Sequence, residues 1–316
     1  MVSQTKLQYA VLYFRVSLTK MKKALIQLHI AIFLAGFTGV LGRLITLNEG
    51  LLVWYRLLIT AITMWIIFSV TKKLQKISFR DVLKISGVGF IAAMHWVTFY
   101  GSIKYANVSV ALVCFSAVGF FTALLEPLFY RKRIVPIEVL LGLMVIAGIY
   151  IIFHFDPEYK TGVIVGIISA LLIAVVMIMV RQFVQRINSE TFLAWQLTGA
   201  FVGLSVLMPF YLYLFPTNHI LPSSTEWMWL FVLAWFCSVV AFQFSTKALK
   251  HLSAFTVNIS YNFEPLYGIL MAFALFGENK ELDWSFYAGL AMIILAVALQ
   301  MWRIWMQSKV TSVKSA

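Results

Sequence analysis

The sequence predicts an all-α membrane protein, with ten transmembrane helices arranged as two inverted-topology five-helix repeats. Three observations lead there. Of 316 residues, 62% are hydrophobic and only 12% are charged, whereas soluble domains run at about a quarter charged. Apolar runs of about 20 residues recur along the chain, the length that crosses roughly 30 Å of hydrocarbon at 1.5 Å per residue. Lys and Arg crowd into every second connection, as expected of a chain that weaves through a bilayer.

In order, the apolar runs lie near 25–47, 51–70, 84–103, 108–130, 137–155, 161–180, 190–214, 227–247, 253–276 and 284–306. The segments between them read as loops. TKKLQKISFRD (71–81) is basic, and Asp156-Pro157-Glu158 and the Pro216 to Pro222 stretch break helices. Transmembrane β-strands would be near ten residues long and alternate polar with apolar; these runs do neither. Residues 1–20, MVSQTKLQYAVLYFRVSLTK, hold no apolar core of signal-peptide length. They read as an extension or a short interfacial segment ahead of Met21-Lys22-Lys23. The organisation expected is an extension over 1–23, repeats over 24–155 and 156–306, and a tail over 307–316.

With the N-terminus in the cytoplasm, 20 of the 25 Lys and Arg residues fall inside. Lys104, Lys160 and Lys280 fall outside, and Arg43 and Arg56 lie within spans. Such a bias fixes orientation and places both termini in the cytoplasm. Five spans per half is an odd number, so a duplicated half must enter the membrane with opposite orientation. Faint echoes mark the duplication. Asn48 to Leu57 (NEGLLVWYRL) resembles Asn188 to Leu197 (NSETFLAWQL), and Ile103-Lys104-Tyr105 resembles Leu249-Lys250-His251. A second register would match Glu126-Pro127-Leu128 with Glu264-Pro265-Leu266, but the first aligns the helix ends better. Two halves of opposite hand can exchange conformations and open a central site to either side in turn, which is the physical reason to expect a transporter.

Other functions fit less well. The net charge of +13 sits in short loops between apolar runs, so nucleic acid is not an expected partner. Cys114 and Cys237 have neither a CxxC partner nor a nearby His, so no metal, cofactor or disulfide is expected. No GxxxxGK[ST] phosphate loop is present, so the energy source would be a gradient. No HExxH, GxSxG or paired aspartates within a span suggest a membrane-embedded enzyme. A flippase for a lipid-linked substrate is the alternative transporter, and a channel is disfavoured by the duplication.

Glu264 is the leading site candidate. A lone carboxylate in mid-span costs several kcal/mol unless it is paired, protonated or hydrated. Pro265 withdraws a backbone N–H and frees the carbonyl of Tyr261. Asn258, Tyr261, Asn262 and Pro265 recur at helical spacing, with Glu264 at the edge of their face. The pattern reads either as a solute cavity with a titrating Glu264 or as a structural Glu bonded to a neighbouring helix. Arg43 and Arg56 lie in the outer third of their spans. Each is placed to pair with Glu264, to attract an anionic solute or to snorkel to the interface, the last being favoured for Arg43. His95, Thr98 and Ser102 form a polar stripe in which His95 is a proton relay or a satisfied hydrogen-bonding group. Trp96 is a candidate to stack a planar solute, and His29 is a weaker polar candidate. Glu126 is expected to pair locally with Arg131, Lys132 and Arg133. Gly36, Gly39 and Gly42 form a small-residue face for close helix approach or bending.

The VWYRLLITA segment (53–61), the KYANVSVAL segment (104–112) and ALKHLSAFTVNISYNFEPLYGILMAFALFGE (248–278) resemble the EamA-like transporters of the drug/metabolite transporter superfamily. The last is the most specific, with a short connection, a helix broken at Glu-Pro and a Gly-Glu at its end. The resemblance covers about residues 22–306. It implies two five-helix repeats, a central cavity, small organic metabolites as solutes and a bacterial inner membrane. In the first half the family usually has Pro within the fourth helix and Gly-Glu at its end. Here the matching positions read Val118-Gly119 and Arg131-Lys132, which leaves Gly119 as the candidate hinge opposite Pro265.

Overall fold

The computed structural model describes residues 2–131, 133–155, 157–183, 185–249, 252 and 254–314. Within these, the side chains of 2–20, 153–155, 157, 249, 254–255, 258–259, 304 and 307–314 are not described. The described residues form helices, and none of them a strand. The α-helices are α1 Val2–Leu44, α2 Glu49–Val70, α3 Phe79–Tyr105, α4 Val108–Phe115, α5 Val118–Tyr130, α6 Pro136–Phe155, α7 Lys160–Phe183, α8 Ser189–Leu214, α9 Ser224–Phe231, α10 Ala241–Leu249, α11 Ala254–Tyr261, α12 Glu264–Phe276 and α13 Trp284–Lys314.

Among the described residues, eight helical segments are long and apolar enough to cross a membrane: Met21–Leu44, Glu49–Val70, Phe79–Tyr105, Val108–Tyr130, Lys160–Phe183, Ser189–Leu214, Ser224–Ala248 and Trp284–Arg303. Two more apolar helices are shorter, Pro136–Ile152 and Glu264–Phe276. The expected continuous span over 253–276 is divided. Phe263 bonds back three residues to the Ser260 carbonyl at 3.0 Å, so the ladder tightens there and α12 starts anew with Pro265 in its first turn. A proline at that position forgoes an N–H that has no intrahelical partner in any case. α1 runs from Val2 to Leu44. At the other end α13 continues to Lys314.

Local chemistry explains where helices start. Asn48, Ser78, Asn107, Asn188 and Ser223 each accept from a backbone N–H of the first turn. Such caps satisfy donors that would otherwise be orphaned. They also echo one another. Asn48 and Asn188 head α2 and α8, and Ser78 and Ser223 head α3 and α9, with an acid three residues on (Asp81, Glu226).

In lipid, helices associate through close packing and interhelical hydrogen bonds. α3 packs on α7 and α8, α6 on α13, and α1 on α10 and α12. Indole donors stitch α2 to α8: Trp54 Nε1 donates to Ser205 at 2.8 Å and Trp65 Nε1 to Thr198 at 2.8 Å. Gly36 lets α1 approach α12 backbone to backbone. A Cβ there would stand 2.9 Å from the Glu264 carbonyl oxygen and from the Gly268 nitrogen. Gly39 faces Val108 of α4. Both glycines lie inside one continuous helix, so in this structure they serve close approach. Large apolar side chains such as Ile62, Ile66, Val206, Phe210, Leu270 and Leu275 are exposed, the pattern of a bundle whose outer surface meets hydrocarbon.

Candidate functional site

Arg56 stands at the centre of a buried polar cluster. Its side chain is 8% exposed, on the buried face of α2. Nη1 donates to the Tyr100 hydroxyl of α3 at 2.9 Å, and Nη2 to the Ser238 hydroxyl at 3.2 Å. The guanidinium lies over the Trp96 ring, 4.8 Å from its centroid, a cation–π arrangement. Ser238 is brought in by a π-helical segment, Val232–Val240, between α9 and α10. Its hydroxyl also donates five residues back, to the Leu233 carbonyl at 3.1 Å. Widened turns of this kind often mark functional sites. Nothing in the sequence announces it, since the run VLAWFCSVV reads as ordinary apolar helix.

Glu264 is half-buried at the start of α12. Its carboxylate has no hydrogen-bond or ion-pair partner among the described residues. The charged group that acts on it through space is Arg56. Tyr261 shares a short hydrogen bond with Ser245 of α10, 2.6 Å between hydroxyl oxygens. Asn262 is exposed at the helix break. The side chain of Asn258 lies outside the described residues. Arg56, Trp96, Tyr100, Ser238 and Glu264 thus come from α2, α3, the π segment and α12, four stretches remote in sequence.

Other candidates go elsewhere. Arg43 pairs with Glu278 at 2.6 Å, not with Glu264. Its guanidinium also lies over Phe276, 4.5 Å from the centroid. His95 is buried, with Nδ1 3.0 Å from the Ser169 carbonyl and 2.9 Å from the Ser169 hydroxyl. It therefore bonds α3 to α7. Trp96 is occupied on one face by Arg56. His29 meets the Tyr267 hydroxyl at 3.0 Å, joining α1 to α12. Glu126 bonds Arg181 of α7 at 2.5 Å; the expected partner Lys132 lies outside the described residues. A Cβ on Gly119 would have no atom within 4 Å. Among the described residues no group of three or more His, Cys, Asp or Glu could hold a metal ion.

In the sequence Glu278 figured only as the closing Gly-Glu of the 248–278 segment; in the structure it is a junction. It is fully buried and accepts from Val108 N at 3.1 Å, Ser109 N at 2.9 Å and Ser109 Oγ at 2.5 Å, besides Arg43. It thereby caps α4 from the far end of α12. Glu226 does similar work nearby, accepting from Thr46, Leu47, Ser223 and His219. The signals were the acids just past Gly277 and three residues past Ser223, but Val108, Ser109 and Arg43, which donate to Glu278, and Thr46 and Leu47, which donate to Glu226, lie far away in sequence.

A family model, EamA-like transporter family, matches residues 22–154 and again 160–302. The chain belongs to the EamA-like transporter family. It is an integral membrane protein and a membrane transporter, with a small-molecule solute and the lipid bilayer as its partners. Across 246 residues, 76% of each chain, it is 23% identical to the uncharacterized transporter YxxF of Bacillus subtilis strain 168. A protein of known crystal structure superposes with TM-score 0.60 at 17% identity, over 90% of this chain and 99% of that one. That likeness speaks for the fold. For an EamA-like transporter, the cluster around Arg56 brings a cation, two hydroxyls and an indole together inside the bundle.

Proposed function

We propose that this protein is a secondary transporter that exports small organic solutes by alternating access, with its site at Arg56, Trp96, Tyr100, Ser238 and Glu264. The observation that carries the reading is that one helical bundle holds a buried Arg56 with neutral partners only and a Glu264 without an ion-pair partner among the described residues. Intramembrane ionisable groups held this way default to function, because holding them without a partner is costly. Counting α4/α5 and α11/α12 as one broken span each gives ten crossings. Two family matches of similar length then read as inverted repeats over 24–155 and 156–306, with both termini in the cytoplasm of a bacterial cell and the chain in its inner membrane. The Glu278 end of the bundle becomes the outer end, and one half rocks against the other around the central site.

Protons are the coupling ion in this reading, and Glu264 carries them while Arg56 sets its field. The test is solute flux in proteoliposomes with an imposed pH gradient. Glu264→Gln is expected to retain solute binding and facilitated exchange but to lose pH-driven accumulation. Undiminished accumulation in that variant removes Glu264 from coupling.

A further inference from the structure

The two intramembrane arginines are treated differently. Arg43 is about one-third exposed and ion-paired to Glu278. Arg56 is 8% exposed, and no carboxylate lies within ion-pair distance of it among the described residues. Its partners are neutral: two hydroxyls and an indole ring. Glu264 reaches it only through space, without a hydrogen bond. A guanidinium has five N–H donors, and Tyr100 and Ser238 take one each. The remaining donors sit on a group whose plane is set by Trp96 and whose rotation is set by the two hydroxyls. That is a preorganised planar fork in a low-dielectric bundle, lacking the anion that such a fork matches.

We propose that Arg56 anchors a carboxylate carried by the transported solute, so that the site selects monoanionic organic acids. The proposal rests on the solute-transporter reading above and narrows it. One guanidinium balances one carboxylate and can meet both of its oxygens. A dianionic phosphate or phosphonate brings a second charge that one guanidinium leaves unbalanced. A neutral or cationic solute leaves the charge of Arg56 as poorly compensated as before.

The test uses the purified full chain in detergent and matched probes of equal shape: benzoate against benzamide, nicotinate against nicotinamide, and phenylphosphonate as the dianion. Binding is read by titration calorimetry and by the shift in unfolding temperature. Carboxylates are expected to bind and their amides not to. Arg56→Gln should weaken carboxylate binding by roughly tenfold or more, and Arg56→Lys by less, since it keeps the charge but loses the fork. Should Arg56→Gln fail to fold, Ser238→Ala preserves the cation while freeing its orientation, and carboxylate affinity should drop several-fold with little loss of stability. Amides binding as well as acids, phosphonate binding best, or no carboxylate binding at millimolar concentration each overturn the proposal. Saturable flux of a neutral or cationic solute in proteoliposomes would sink the anchor and leave the transporter standing. Absence of saturable flux for every solute class would sink the transporter reading itself.

Discussion

In α4/α5 the chain runs eight helical residues, tightens at Ser116 and Ala117, and runs thirteen more to a left-handed residue, Arg131. In α11/α12 it runs eight, tightens at Phe263, and runs thirteen more to a left-handed residue, Gly277. The residues at corresponding points differ. Pro265 occupies the second position of α12, where α5 has Gly119. Gly277 takes its φ of 69° freely, whereas Arg131 holds a φ of 52° with a side chain attached, a backbone state that costs a non-glycine residue about 1 kcal/mol. Glu278 follows Gly277, whereas Lys132 follows Arg131. The same break thus arises with and without proline, so proline is not what places it. The difference lies in anchorage: α12 is bolted to the first half by Glu278 and by the Gly36 contact, while Gly119 has open space beside it.

The largest expected effect tests that bolt. Glu278→Ala leaves two amide donors, a hydroxyl and Arg43 without their acceptor, so it should lower stability by roughly 3–5 kcal/mol. Arg43→Gln should cost less, because the half-open arginine is partly solvated and Glu278 keeps its other donors. Thermal unfolding of both variants in detergent checks the ranking, and equal losses would mean that the ion pair, not the cap, dominates. A smaller effect is expected at the helix end. Arg131→Gly should stabilise by about 1 kcal/mol by relieving the left-handed strain, and a neutral result would show that the surroundings already repay it. The smallest stability change is expected for Gly119→Pro, which installs the residue of the second half. Its cost should stay below about 1 kcal/mol, against about 3 kcal/mol for proline in a helix interior. Loss of folding there would break the equivalence of the two bent helices. Retained folding with slowed solute exchange would sharpen it, by showing that Gly119 serves motion.

Much of the architecture was legible because it rests on local and compositional terms. Apolar runs near 20 residues long marked the spans, and Asn48 and Asn188 opened the two segments that echo each other; the capping by Ser78 and Ser223 was not read from the sequence. The family resemblance pointed to both bends, at Glu264-Pro265 and beside Gly119, but nothing in Ser116-Ala117 announces where the ladder tightens. In the weaker echo of Glu126-Pro127 with Glu264-Pro265, Pro127 lies near the far end of α5 and Pro265 in the first turn of α12. Arg43 and Arg56 looked alike in sequence, being two cations in the outer third of a span.

What the sequence determined by itself is that this chain crosses a membrane repeatedly as helices and belongs among the EamA-like transporters. Both follow from hydropathy and from motifs whose meaning is contained in a few adjacent residues. What only the tertiary structure decided is which charge finds a partner. Glu278 travels to the start of α4 and neutralises Arg43, while Arg56 is left against Trp96, Tyr100 and Ser238. A charge inside a bilayer takes its meaning from whatever the fold brings within a few ångströms, and those neighbours lie 40 to 235 residues away along the chain.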